Sequence, residues 1–126
     1  MNIIISNSSG VPIYKQIVDQ MKEMIIKGEL AEGEALPSMR YLAMELRISL
    51  ITTKRAYEEL ESLGFIESYT GKGSFVKSQN MELIREEHLR ALEKHLAQAC
   101  QEARVCGVGP EEMKELLAII YEEQGE

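Results

Sequence analysis

The sequence predicts a mainly α-helical fold with one small β-hairpin, and three observations support this prediction. Residues 36–63 hold two amphipathic helical segments joined by a very short turn. Residues 65–77 hold two strand-like segments on either side of a Gly-Lys-Gly turn. From Met81 the composition shifts to Leu, Ala, Glu and Gln, as in long helices. The order predicts a winged helix-turn-helix domain followed by an αα-hairpin.

The first helix is predicted to begin at Pro12 and to end near Lys27, because proline is favoured in a first helical turn and Gly28 suits a helix end. Apolar residues recur along it at intervals of three or four positions, which predicts one face against a core. These residues are Ile13, Ile17, Met21 and Met24. The preceding run Ile3-Ile4-Ile5 is predicted to be either a short strand or an ordered arm.

Two serines are predicted to cap the next two helices. Ser38 follows Pro37 at the start of the second helix, and Ser49 stands at the start of the third. A serine hydroxyl at this position accepts a hydrogen bond from a backbone N–H group two or three residues later. The predicted core residues of the two helices are Met39, Leu42, Ala43 and Leu46, then Thr53, Ala56, Leu60 and Leu63. Gly64 is predicted to end the third helix with a positive φ angle.

The β-hairpin is predicted from strands over residues 65–69 and 74–77, with residues 70–73 at its tip. The two glycines of the tip allow a tight turn and a close approach of the backbone to a neighbouring molecule. A hairpin of this size is not stable in isolation, so we expect it to pack on the helices.

The charge of the chain is unevenly distributed. The formal net charge is −7, which argues against binding of nucleic acid along the whole length. Residues 1–77 carry 9 basic and 10 acidic side chains, whereas residues 78–126 carry 5 and 11. Within residues 38–55 the basic residues Arg40, Arg47, Lys54 and Arg55 face only one acidic residue, Glu45. This asymmetry is typical of a binding domain attached to a non-binding support.

The starts of two helices and the hairpin tip carry the residues that indicate DNA binding. Ser49, Thr52 and Lys54 point outward near the N-terminal end of the third helix, where a recognition helix contacts base edges and phosphates. Arg40 lies on the second helix away from its core residues, and Lys72 lies between the glycines of the tip. Simpler interpretations are a solvated helix start, a surface charge and a solubilising turn residue. The combination at these spacings favours DNA contact.

The last two helices are predicted to form a dimerisation region. Their apolar residues follow the spacing of a helix–helix seam, and the residues predicted to make the contact are Leu89, Leu92, Leu96, Ala99, Met113, Leu116, Leu117 and Ile120. Gly107 and Gly109 separate the two helices, and Pro110 begins the second of them. An αα-hairpin of roughly forty residues is too small to fold alone, so a second copy of the chain is the simplest partner.

Other classes of site have little support in the sequence. His88 and His95 are too far apart on one helix to share a metal without further ligands. Cys100 and Cys106 would point to different sides of that helix, so we expect neither a disulfide nor a zinc site. No nucleotide-binding loop or nucleophile–base arrangement is present, which predicts a non-enzymatic protein without cofactor or metal. The lack of a long apolar run or secretory signal predicts a soluble, cytoplasmic protein with no membrane partner.

Several motifs between residues 11 and 77 match one known family at once. They are Pro12-Ile13-Tyr14, Gln16-Ile17, Gly28-Glu29-Leu30, Gly33, Leu36-Pro37-Ser38, Arg40, Leu42-Ala43, Thr52, Ala56-Tyr57, Leu60 and Gly71-Lys72-Gly73-Ser74-Phe75-Val76. Together they resemble the DNA-binding domain of the GntR family of bacterial transcription regulators, whose wing the last motif matches. The short C-terminal part is similar to that of the YtrA subfamily, whose members dimerise through it.

The resemblance implies DNA contacts from the positions that match the family. The complete set of predicted DNA-binding residues is Ser38, Arg40, Ser49, Thr52, Lys54, Thr70, Gly71, Lys72 and Gly73. Many members have Arg or Asn just after the position of Ser49, where this chain has Leu50 and Ile51. For these two residues, two possibilities stay open: contact with thymine methyl groups, or no contact with the bases at all. The subfamily resemblance further implies repression of the operon that contains the regulator's own gene, often with ABC-transporter genes.

We therefore predict a DNA-binding domain in residues 1–77 and a two-helix dimerisation region in residues 78–126. The predicted function is that of a homodimeric repressor whose two domains bind half-sites of a near-palindromic operator in double-stranded DNA. One alternative is a winged-helix module that binds another protein and no DNA. A second alternative is a regulator that senses an unknown small-molecule effector at the dimer interface.

Overall fold

The computed structural model describes residues 1–125 and contains five helices and one two-stranded sheet in that range. The elements are α1 Ile13–Ile26, α2 Met39–Leu46, α3 Leu50–Ser62, β1 Ile66–Tyr69, β2 Gly73–Val76, α4 Met81–Cys106 and α5 Pro110–Gln124. The predicted fold class is confirmed. The chain divides into two compact units, of which the first is Met1–Met81 and the second begins at Glu82. The predicted domain boundary between residues 77 and 78 stays a prediction.

The core of the first unit forms where α1 and α2 pack on α3. Its buried residues come from all three helices and from both strands, and they include Ile17, Val18, Met21, Leu42, Ala56, Tyr57, Leu60, Ile66 and Val76. The helical members recur every three or four positions, so each helix turns one apolar face inward. This arrangement holds α2, the turn after it and α3 in fixed relative positions, which a DNA-binding surface requires.

Two local predictions for the helices were wrong. Leu63, predicted to lie in the core, is 51% exposed. The reason is that α3 ends at Ser62, so Leu63 is the C-cap and no longer follows the buried face. That face includes Tyr57, which the periodicity alone did not single out. Pro12 is the N-cap of α1, with ψ at 142°, and not its first helical residue.

The N-terminal residues form an arm along α1 and belong to neither strand. The side-chain amide of Gln20 accepts a hydrogen bond from the Ile4 N–H group at 2.9 Å and donates one to the Ile4 carbonyl at 2.7 Å. Gln16 makes the same pair of bonds with Ser6, both at 2.8 Å. Ile3 is buried in the core. Of the two open alternatives, the structure therefore has the ordered arm.

The hairpin is supported on its open side by the segment before α2. Ile66 pairs with Val76 and Tyr69 with Gly73 across the two antiparallel strands, so the second strand begins and ends one residue earlier than predicted. The Leu36 N–H group donates to the Ser74 carbonyl at 2.9 Å, and Val76 N–H donates to the Glu34 carbonyl at 3.0 Å. These bonds fix the hairpin as a wing beside α2 and α3.

Gly64 is expected to be intolerant of a side chain for reasons of backbone conformation alone. Its φ angle is +84°, and an added Cβ would meet no atom within 4 Å. Because an L-residue in this region costs roughly 1–2 kcal/mol, we expect Gly64→Ala to lower the free energy of unfolding by about that amount. Urea denaturation of the full chain measures it. Gly64→Asn should cost less because asparagine tolerates positive φ, and equal losses would contradict this explanation.

The second unit exposes nearly all of its apolar residues. Gly107 ends α4 with a φ angle of +77°, and Pro110 begins α5 directly after its N-cap Gly109. Among the described residues of this unit only Ala103 is buried. The unit therefore has almost no hydrophobic core of its own. No helix within residues 1–125 has the length and apolar character needed to cross a membrane.

Candidate nucleic-acid interface

The two predicted serine caps lie at the starts of α2 and α3. The Ser38 hydroxyl accepts a hydrogen bond from the Tyr41 N–H group at 3.1 Å, and the Ser49 hydroxyl accepts one from Thr52 N–H at the same distance. Between the two helices, Arg47 adopts a left-handed conformation with φ of 55°. The caps leave the first two N–H groups of each helix without an intrahelical partner, so they are available to an anion such as phosphate.

The hydroxyl groups of Ser49 and Thr52 are also bonded to each other, at 2.8 Å. Each hydroxyl carries one proton, and one of the two protons is used in this bond. Whichever group donates, one O–H donor remains at the tip of α3. The structure therefore places both predicted residues at this tip but reduces the number of hydrogen bonds that they can donate to DNA.

The start of α2 is attached to α3 by a buried tyrosine. The Tyr57 hydroxyl donates a hydrogen bond to the Pro37 carbonyl oxygen at 2.7 Å, and Tyr57 is 1% exposed. Burial raises the pKa of Tyr57 well above its ordinary value, so the hydroxyl stays protonated and remains a donor. This bond fixes the segment that carries Ser38 and Arg40, relative to α3.

The three basic side chains that are predicted to contact DNA differ in whether they already form an ion pair. Arg40 and Lys72 are exposed, and neither forms an ion pair within residues 1–125. Lys54 lies 3.9 Å from the carboxylate of Glu58, with both side chains largely exposed. A pair of this kind contributes little to stability, so Lys54 can exchange its partner for a phosphate at small cost.

The wing tip is built around two glycines in the left-handed region. The φ angles are 78° at Gly71 and 102° at Gly73, and the Lys72 N–H group donates to the Tyr69 carbonyl at 2.9 Å. Thr70 and Lys72 are exposed on this turn. The sharp turn thus places Lys72 at the tip of the hairpin with its side chain exposed.

Arg55 is a candidate contact that sequence reasoning missed. Its guanidinium lies 3.8 Å from the centre of the Tyr14 ring, and such cation–π stacking limits the conformations of an arginine side chain. The sequence placed Arg55 toward the side of the third helix, near its outward N-terminal end, but did not include it among the DNA contacts. Its partner comes from α1, so the contact depends on the packing of α1 on α3.

The charges in the first helical turns also distinguish α2 and α3 from α4 and α5. The first turns of α2 and α3 contain no acidic residue, whereas Glu82 lies in the first turn of α4, and Glu111 and Glu112 lie in that of α5. A carboxylate there would neutralise the positive end of the helix dipole and repel phosphate. The helices with predicted DNA contacts therefore keep an anion-attracting start.

Six of the eight predicted dimerisation residues line an apolar groove within the second unit. The groove has a volume of about 680 Å³, and its lining includes Leu96, Ala99, Met113, Leu116, Leu117 and Ile120. Leu89 and Leu92 lie outside this lining, and Leu92 is exposed. Cys100 and Cys106 are both free thiols on the groove. Within residues 1–125 no group of three or more His, Cys, Asp or Glu side chains is arranged to hold a metal ion.

Comparisons with known proteins place the first unit in one family. The family described as bacterial regulatory proteins, gntR family, matches residues 13–76. The HTH-type transcriptional repressor YtrA of Bacillus subtilis (strain 168) is 35% identical over 113 residues, which cover 90% of this chain and 87% of that protein.

Solved structures of similar proteins cover most of the chain. YtrA from Sulfolobus acidocaldarius, a GntR-family transcription factor, is 42% identical with a TM-score of 0.59, over 72% of this chain and 97% of that one. A transcriptional regulator from Oenococcus oeni is 29% identical with a TM-score of 0.71, over 92% of this chain and 96% of that one.

Proposed function

This chain belongs to the GntR family of bacterial regulatory proteins and is a DNA-binding transcription regulator, and we propose that it acts as a homodimeric repressor. In this proposal each winged-helix unit binds one half-site of a near-palindromic operator, because the two-fold symmetry of a dimer is mirrored in the DNA. The relative with 35% identity is itself named a transcriptional repressor.

One observation supports the proposed site more than any other. The starts of α2 and α3 are capped by serines and contain no carboxylate in the first turn, and the exposed residues Arg40 and Lys72 form no ion pair within residues 1–125. A surface of this kind attracts phosphate from several directions. We assign the DNA contacts to the set predicted above, with Arg40 and Lys72 as its main cations and Arg55 as an addition.

The proposed dimer is supported by the apolar surface of the second unit. Leu92, Leu96, Leu116, Leu117 and Ile120 are all exposed, although leucine and isoleucine are usually buried in stable units. A second copy would bury them and supply the core that a pair of helices lacks. Dimerisation would also join two DNA-binding units, which raises affinity for an operator with two half-sites.

The genes that this chain regulates are inferred from its resemblance to the subfamily and not from its own residues. We assign this chain to repression of the operon that contains its own gene, together with neighbouring transporter genes. A regulator that binds chromosomal DNA works in the cytoplasm, so we assign it to that compartment. The family consists of transcription regulators, and we assign no enzymatic activity, cofactor or metal to the chain.

Arg40→Ala and Lys72→Ala are each expected to weaken operator binding by about tenfold without changing the mass of the dimer. Each substitution removes a cation that neutralises a DNA phosphate, so the slope of log affinity against log salt should fall by about one in each variant. A gel-shift titration at several salt concentrations, with duplex DNA from upstream of the chain's own gene, measures both effects.

Lys94→Ala is the matched control for this prediction. Lys94 lies on α4, is exposed and is outside the groove lining, so the variant loses the same charge away from both the proposed DNA contacts and the groove. It should bind like the unaltered protein. Unchanged binding by both site variants would overturn the site assignment. If the unaltered protein showed no salt-dependent binding to the duplex, the protein-interaction alternative would be favoured.

A further inference from the structure

Two large apolar side chains occupy the start of α3, where the proposed function brings this helix against DNA. Ile51 is 80% exposed and Leu50 is 39% exposed. On the inward side of the same turn, Thr53 is fully buried, so the core is closed without either of them. Isoleucine is only a moderate helix former. The stability of the unit therefore does not explain a large exposed side chain at position 51.

The polar groups beside Ile51 have little capacity to contact bases. The hydroxyls of Ser49 and Thr52 bond to each other at 2.8 Å, and the Ser49 hydroxyl also accepts the Thr52 N–H group. One hydroxyl proton remains between them. The outward surface at the tip of α3 is therefore mainly apolar, with backbone N–H groups available for phosphate.

The major groove of DNA offers one apolar group that matches this surface. Thymine presents its C5-methyl group there, whereas the other features of the four base edges are hydrogen-bond donors and acceptors. Isoleucine is β-branched and nearly fixed at χ1 within a helix, so it loses little conformational entropy when it makes such a contact. The absence of carboxylates from the first turn of α3 lets the backbone of the DNA approach closely.

We propose that Ile51 contacts the C5-methyl group of a thymine in the major groove of each half-site, with Leu50 packed beside it. This inference rests on the proposed function and adds the base that the start of α3 selects. Arg40 and Lys72 then contact phosphates and position the protein on the DNA, and the apolar tip of α3 gives specificity at one base pair. A half-site without thymine at that place leaves Ile51 against a polar base edge.

The test starts from a duplex that the full-length protein selects from a random DNA pool. Each thymine of the selected half-sites is then replaced, one at a time, by deoxyuridine, which lacks only the C5-methyl group. At one thymine in each half-site, the replacement should weaken binding by about fourfold, the factor expected for removal of one buried methyl group. Replacement in both half-sites should weaken it by about fifteenfold.

Variants of the protein assign the methyl contact to Ile51. Ile51→Ala should bind the thymine and deoxyuridine duplexes with equal affinity, whereas Ile51→Val should keep most of the difference because it keeps the branched methyl groups. Met44→Ala is the matched control, since Met44 is a large apolar residue of α2 that is 67% exposed. It should keep the whole difference.

The outcomes separate this inference from the function on which it rests. If binding were unchanged when each thymine of the selected half-sites was replaced by deoxyuridine, the inference would be overturned and the proposed function would stay intact. A response that persists unchanged in Ile51→Ala would assign the methyl contact to another residue and would also overturn it. Failure to select any sequence would overturn the proposed function together with the inference.

Discussion

Replacing Leu117 with glutamate is expected to separate the dimer and to weaken operator binding by about 100-fold or more. Leu117 is 54% exposed and lies on the groove between α4 and α5, so in the proposed dimer it is covered by the second copy. A carboxylate buried there without a partner opposes association strongly. Once separated, the two DNA-binding units bind their half-sites independently and lose the gain that comes from being joined.

Val105→Glu is the matched control for the dimer prediction. Val105 is also apolar and in the second unit, but it is the more exposed residue and lies outside the groove lining. The variant adds the same charge and should remain a dimer with nearly unchanged DNA binding. Sedimentation equilibrium gives the mass, and a gel-shift titration gives the affinity. If Leu117→Glu remained dimeric at the same concentration, the groove would not be the dimer interface.

Replacing Tyr57 with alanine is expected to lower the free energy of unfolding by about 3–5 kcal/mol, the loss that follows removal of a large buried aromatic ring. Small domains are stable by only about 5–15 kcal/mol, so this variant should unfold at much lower urea concentration. Tyr57 belongs to the core and at the same time bonds the Pro37 carbonyl. The core would therefore be weakened, and the start of α2 would lose its attachment to α3.

Tyr57→Phe separates the two contributions of this side chain. It keeps the ring and removes only the hydroxyl, which leaves the Pro37 carbonyl without its donor, so we expect a loss of about 1–2 kcal/mol. The folded variant should also bind DNA more weakly, because Arg40 follows the segment that the hydroxyl holds. Urea denaturation measures the stability of both variants. Equal losses in Tyr57→Phe and Tyr57→Ala would show that the ring contributes nothing, against this explanation.

Much of the fold could be predicted because it depends on interactions within a few residues. The caps at Ser38 and Ser49 and the positive φ angle of Gly64 were all predicted, and all are present. Each involves a backbone group at most a few positions away, so the local sequence contains both partners. The error at Leu63 arose because periodicity gives the direction of a face but not the residue at which the helix ends.

The candidate site was predicted in part, and the missing part has one cause. Sequence patterns identified exposed basic and hydroxyl residues on α2, α3 and the wing, but they did not show which of these groups already have partners. Tyr57 and Pro37 are 20 positions apart, and Tyr14 and Arg55 lie on different helices. The pairing of Ser49 with Thr52 at 2.8 Å depends on side-chain orientations that spacing does not specify.

The sequence by itself determined the class of this protein, the order of its elements and the apolar stripe that predicts a dimer. These properties follow from composition, helical periodicity and capping, which act along the chain. Only the three-dimensional structure decided which polar groups at the starts of α2 and α3 remain free and which apolar side chains stay exposed. The physical reason is that hydrogen-bonding capacity and burial depend on every group that packs nearby. At the tip of α3 the hydroxyls of Ser49 and Thr52 bond to each other, and Ile51 stays exposed.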